Sequence, residues 1–124
     1  MSTQYDLCLV SVGDAETAEK ISSGLLRERL AACVSAVPGL ASSYWWKDRI
    51  EKSREILLII KTRRALREDV IQFVRQNHPY SVPEALFTEI AAGSQDYLDW
   101  LGANTAFSTN IPKNGDAEER KGSL

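Results

Sequence analysis

The sequence predicts an α+β fold in which two helices pack on one face of an antiparallel sheet. The element order is the ferredoxin-like β-α-β-β-α-β, followed by a short C-terminal helix. Three observations predict it. Stretches rich in strand formers alternate with two stretches whose apolar residues recur at helical spacing. The run Ile56-Leu57-Leu58-Ile59-Ile60 shows no polar alternation, the pattern of a central strand covered on both faces. Finally, 124 residues make one domain, large enough to bury roughly two-thirds of its unfolded surface without disulfides or a structural metal.

In chain order, Tyr5 to Val12 reads as a strand that stops at Gly13-Asp14. Asp14 sits where an N-cap belongs, Glu16 falls in the first turn, and Ala18, Ile21, Leu25 and Leu26 mark an amphipathic helix up to Arg29. Ala31 to Val37, the Pro38-Gly39 break and Ser43 to Trp46 read as one strand with a kink or bulge. Lys47-Asp48 is a polar turn and Ile50 to Lys61 the returning strand. Thr62 is the N-cap candidate of a second helix carrying Leu66, Val70, Phe73 and Val74 and ending near Asn77, where Pro79 stops it. His78 to Glu84 contains two prolines and reads as a stiff extended loop, Glu84 to Ile90 as the fourth strand, and Asp96 to Leu101 as a short helix. The domain is expected to span residues 1–104, and residues 105–124 to form a flexible tail. The first helix, Asp14 to Arg29, would be about 24 Å long and the Arg54–Lys61 part of the third strand about 26 Å, so the two layers match. The extra reach of the second strand, with Trp45 and Trp46 near its tip, has no use inside one small sandwich and reads as a partner interface.

Composition removes several function classes. Fifteen Lys plus Arg against 17 Asp plus Glu give a net charge of −2, without the basic stripe that nucleic acid requires. No apolar run approaches the about 20 residues that span a bilayer, and the N-terminus lacks the basic start and apolar stretch of a secretory signal, which predicts a cytoplasmic protein. One His and two Cys exclude a self-contained Cys₄ or Cys₂His₂ zinc site. His78 is the only imidazole, and no nucleophile–base or carboxylate pair stands out, so the chain does not read as an enzyme.

Each chemically capable residue has a plain reading beside the functional one. His78 is a helix-end cap, favoured by the helix dipole, or a ligand for Cu(II) or Zn(II), with Glu84 a few residues on across the two-proline loop. Cys8 and Cys33, flanked by small or apolar residues and with no nearby cation in sequence, read as core thiols before redox or metal groups. Lys61-Thr62 is an anion site near a helix start, or a capping Thr beside a strand-end ion pair. Trp45 and Trp46 read as interface packing before a stacking platform.

Glu28-Arg29-Leu30-Ala31-Ala32-Cys33-Val34, Pro38-Gly39, Ser43-Tyr44-Trp45-Trp46, Lys61-Thr62, His78-Pro79-Tyr80-x-x-Pro83-Glu84 and Tyr97-Leu98-x-Trp100-Leu101 follow one another in order. In this pattern the chain, from about Leu7 to Leu101, resembles the CutA family of divalent-cation tolerance proteins. The resemblance implies a cytoplasmic, PII-like homotrimer joined by strand extension, with a role in divalent-cation tolerance, copper above all, and no required cofactor beyond such an ion. It implies His78 first and Glu84 second as metal ligands. Trp46, Lys61, Tyr80 and Tyr97 are family motif positions expected to line one cleft between subunits. The competing function is a PII-like sensor or scaffold holding a small anionic ligand in that cleft. Two positions depart from the family pattern: Asp48 stands where Gly is usual and Gly13 where Pro is usual.

Overall fold

The computed structural model describes residues 2–107. Its elements are β1 (Tyr5–Val12), α1 (Ala15–Arg27), β2 (Cys33–Trp46), β3 (Arg49–Arg63), a 3₁₀ turn (Arg64–Leu66), α2 (Arg67–Asn77), β4 (Leu86–Glu89) and α3 (Gln95–Ala103). The four strands form one antiparallel sheet in the order β2-β3-β1-β4. This is the α+β architecture the sequence predicts.

Helices α1 and α2 cover one face. Cys8, Val10 and Val12 of β1 and Leu58 and Ile60 of β3 are fully buried there against Ile21, Leu25, Val70 and Val74. Asp14 caps α1, its carboxylate accepting from the Thr17 N–H at 2.7 Å, and that bond holds the carboxyl below its ordinary value. Gly24 lets the two helices touch: a Cβ there would land inside the Phe73 ring. A second, smaller cluster joins Tyr5 to Leu98 and Leu101, seating α3 at the sheet's end.

The second helix starts later than its sequence suggests. Thr62 is a buried strand residue whose hydroxyl donates to the Leu30 carbonyl at 2.6 Å, and α2 begins only at Arg67 after the 3₁₀ turn. There the buried Asp6 carboxylate accepts from Arg64 Nε at 3.0 Å and from Arg67 Nε, joining β1 to the start of α2. β4 is likewise shorter than expected and leaves Glu84 in the loop, while the Ile90 N–H adds one bond to the Tyr5 carbonyl beyond its end. Thr105 and Ala106 are buried, and the Ala106 N–H reaches the Arg29 carbonyl at 3.0 Å, so the packed body runs at least this far. The remainder of the expected tail, residues 108–124, lies outside the described residues.

The β2–β3 hairpin turns at Lys47 and Asp48, both left-handed at φ 51° and 64°, the geometry that matches the twist of paired strands. Asp48 thus occupies the backbone region that Gly adopts at no cost. Further down, register slips between Val37 and Leu40, with Gly39 at φ 80°: two residues of β2, Pro38 and Gly39, face one of β3.

Candidate functional site

His78 follows α2 in extended conformation, its ring almost fully buried. Nδ1 accepts from the Tyr80 N–H at 3.2 Å, so Nε2 carries the proton and donates to the Ser11 carbonyl at 2.8 Å. The ring therefore fastens the loop after α2 to β1 rather than bonding back to its own helix, and it also packs on Tyr80, with centroids 4.4 Å apart. Both nitrogens are engaged. A metal at His78 would have to take the Nδ1 lone pair now given to Tyr80.

Beside this strap lies a cleft of about 690 Å³ between the hairpin and the 80–84 loop, lined by Tyr44, Trp46, Glu55, Tyr80 and Glu84 and floored in part by Ser11. Gly13 admits the Tyr80 ring: a Cβ there would stand 2.9 Å from its hydroxyl. That hydroxyl donates to Glu55 Oε2 at 2.9 Å, and burial first, then the Glu55 bond, pushes it up to about 12. Glu55 is only 7% exposed. Among the described residues no Lys or Arg forms an ion pair with Glu55 or Glu84. The sequence reading did not single out Glu55; the signal available was an acidic residue directly before the unbroken apolar run of β3.

Lys61 and Tyr97 stand elsewhere. Lys61 is six positions from Glu55 along β3, about 20 Å, and its Nζ donates to Ser35 Oγ at 2.9 Å and lies 3.6 Å from Cys33 Sγ. Burial raises the Tyr97 hydroxyl, and Cys33 beside it raises it further. Within one chain the expected cleft is thus two places: Trp46, Tyr80 and Glu84 at the hairpin, Lys61 and Tyr97 around Cys33. Cys33 is half-buried with an ammonium beside it, contrary to the expectation of a core thiol without a cation; the cation comes from the paired strand, at the register Cys33 opposite Lys61. Cys8 is fully buried, and desolvation pushes its thiol up to about 12, which fits a core role. Thr62, inside β3, leaves no helix start beside Lys61. Among the described residues no three of His, Cys, Asp and Glu cluster closely enough to hold a metal ion, and no helix is long and apolar enough to cross a membrane.

Over residues 7–104 the chain matches the family model described as CutA1 divalent ion tolerance protein. The chain belongs to the CutA1 family. It is 43% identical over 96 residues to the chloroplastic protein CutA of Arabidopsis thaliana, covering 77% of this chain and 53% of that protein. It therefore spans about half the length of the plant relatives it matches. It is 42% identical over 100 residues to the divalent-cation tolerance protein CutA of Thermus thermophilus, covering 81% of this chain and 97% of that one. Its fold superposes on the crystal structure of CutA1 from Oryza sativa with a TM-score of 0.83 at 37% identity, over 86% of this chain and 98% of that chain. The Trp-bearing hairpin and the His78–Glu84 loop both fall within the residues matched to the CutA1 family model.

Proposed function

We propose that this CutA1 protein is a cytoplasmic homotrimer that binds divalent cations, copper above all, and contributes to metal-ion tolerance by binding rather than by catalysis. The observation that carries the binding reading is the hairpin cleft, where among the described residues the carboxylates of Glu55 and Glu84 form no ion pair with a Lys or Arg. Glu84 supplies oxygen donors at its rim, and His78 joins as an imidazole ligand once Nδ1 releases the Tyr80 N–H. Imidazole and the general affinity order of divalent ions both favour Cu(II). Two such residues make a weak site in one chain, and copies related by an axis multiply the donors. Support for assembly comes from the hairpin tip and nearby edge: Trp45 is 71%, Ile50 63% and Val82 72% exposed, a larger apolar surplus than an isolated small domain usually carries.

The test is calorimetric titration of the full chain with Cu(II). Glu84→Gln and His78→Ala should each weaken binding, and wild-type affinity in both variants would overturn this site. Light scattering should give about three times the 13.8 kDa chain mass; a mass near that of one chain would overturn the trimer. The anionic-ligand alternative has less support, because Lys61 is absent from the hairpin cleft.

A further inference from the structure

We propose that the hairpin cleft binds an organic ammonium ion, an aliphatic primary amine whose charge sits at Glu55 and whose methylenes lie along Tyr44, Trp46 and Tyr80. Three independent properties of the cleft support this.

The first is size. A cleft of about 690 Å³ falls in the range of small-molecule pockets, whereas a bare ion needs its donors drawn in to roughly 2.0–2.6 Å. No donor cluster of that kind occurs among the described residues.

The second is charge. Among the described residues no Lys or Arg lines the cleft, and the side chain of the nearly buried Glu55 has one hydrogen bond, from the Tyr80 phenol. A buried carboxylate lacking a cation is costly, and a ligand that brings one offsets that cost. Glu84, exposed at the rim, adds a second negative charge and repels anions.

The third is the nature of the walls. The rings of Tyr44, Trp46 and Tyr80 are each partly open, at 42%, 41% and 38% exposed. Aromatic faces attract alkylammonium groups and also give apolar contact to the chain behind the charge. A hydrated metal ion uses only the charge. The Tyr80 hydroxyl donates to Glu55 Oε2 at 2.9 Å, and among the described residues the other carboxylate oxygen has no hydrogen-bond partner, which leaves it for an ammonium.

The experiment titrates the full-length assembly by calorimetry with three probes: n-butylamine, 1,4-diaminobutane and the uncharged isostere 1-butanol. The expected result is saturable binding of the two amines and none of the alcohol. Glu55→Gln should weaken amine binding about tenfold, Trp46→Leu should weaken it several-fold, and Trp100→Phe, at a distant helix, should leave it unchanged. Should Glu55→Gln fail to fold, Glu84→Gln at the exposed rim serves as the second charge variant and is expected to weaken the diamine more than the monoamine. Absence of saturable amine binding, equal binding of butanol, or wild-type affinity in both Glu variants would overturn the proposal. A parallel Cu(II) titration keeps the two readings apart: amine binding lost with copper binding intact sinks only the amine site, and the reverse sinks only the metal reading.

Discussion

The two halves of the sheet are made from the same strands and finished differently. Toward the helices, alternate residues of β1 and β3 meet α1 and α2 and are sealed from solvent. Toward the hairpin tip, β2 and β3 run on past any helix and carry Tyr44, Trp45, Trp46 and Ile50 into the open. The first half is complete within one chain, and its residues answer to packing. The second is unfinished as a core and holds a cleft in which, among the described residues, Glu55 and Glu84 form no ion pair. The proposed ligand and partner contacts are placed at this unfinished end, because a side chain locked in a core is unavailable to anything else.

That contrast can be broken by mutation. The largest effect is expected in the sealed half: Leu58→Ala should cost about 2–5 kcal/mol in denaturant unfolding, as for other deletions in well-packed cores, whereas Trp45→Ala should leave unfolding of the isolated chain nearly unchanged and lower the assembled mass. An equal stability loss from both would erase the distinction. Next, Gly24→Ala should cost about 1–3 kcal/mol by driving a methyl into Phe73, and Phe73→Leu should recover part of it. Asp6→Asn, which disarms a buried acceptor of Arg64 and Arg67, is expected to cost about 1–3 kcal/mol, read from the shift in the unfolding midpoint.

At the open end the effects are smaller and chemical. The Tyr80 hydroxyl is raised from 10.0 to about 12 in the folded protein, so the folded state holds that proton more tightly than the unfolded chain. Its contribution to stability is complete below about pH 10 and is lost as pH climbs toward 12. Ultraviolet titration should show Tyr80 and Tyr97 titrating late, and Glu55→Gln should bring the Tyr80 part of that late transition earlier; an unchanged late transition would detach Tyr80 from Glu55. Smallest of all, Asp48→Gly should gain up to about 1 kcal/mol by relieving a left-handed residue.

Features encoded by neighbours in sequence were legible. Asp14 capped the helix it preceded, Pro79 followed the end of α2, and Lys47-Asp48 made the turn. Features set by distant partners were not. Thr62 has the chemistry of a cap, but the Leu30 carbonyl, 32 residues away, claims its hydroxyl and holds it in the strand. The Lys61 ammonium beside Cys33 arises from strand register, 28 residues apart. Glu55 becomes a cleft residue only because Tyr80, 25 residues later, folds over Gly13 to reach it. The motif groups Trp46, Lys61, Tyr80 and Tyr97 in a cleft expected between subunits; within one chain, Trp46 and Tyr80 lie at the hairpin and Lys61 and Tyr97 beside Cys33.

The surplus residue at Pro38-Gly39 has one more effect. Below it, odd-numbered Cys33, Ser35 and Val37 stand opposite Lys61, Ile59 and Leu57; above it, even-numbered Leu40, Ser42, Tyr44 and Trp46 stand opposite Glu55, Ser53, Glu51 and Arg49. Successive strand residues point to opposite sides, so this single insertion reverses the parity of everything beyond it. Were β2 instead to pair in unbroken register from Val37, Gly39 would face Glu55, Ser43 and Trp45 would take the Glu55 side, and Tyr44 and Trp46 would turn to the reverse of the ribbon.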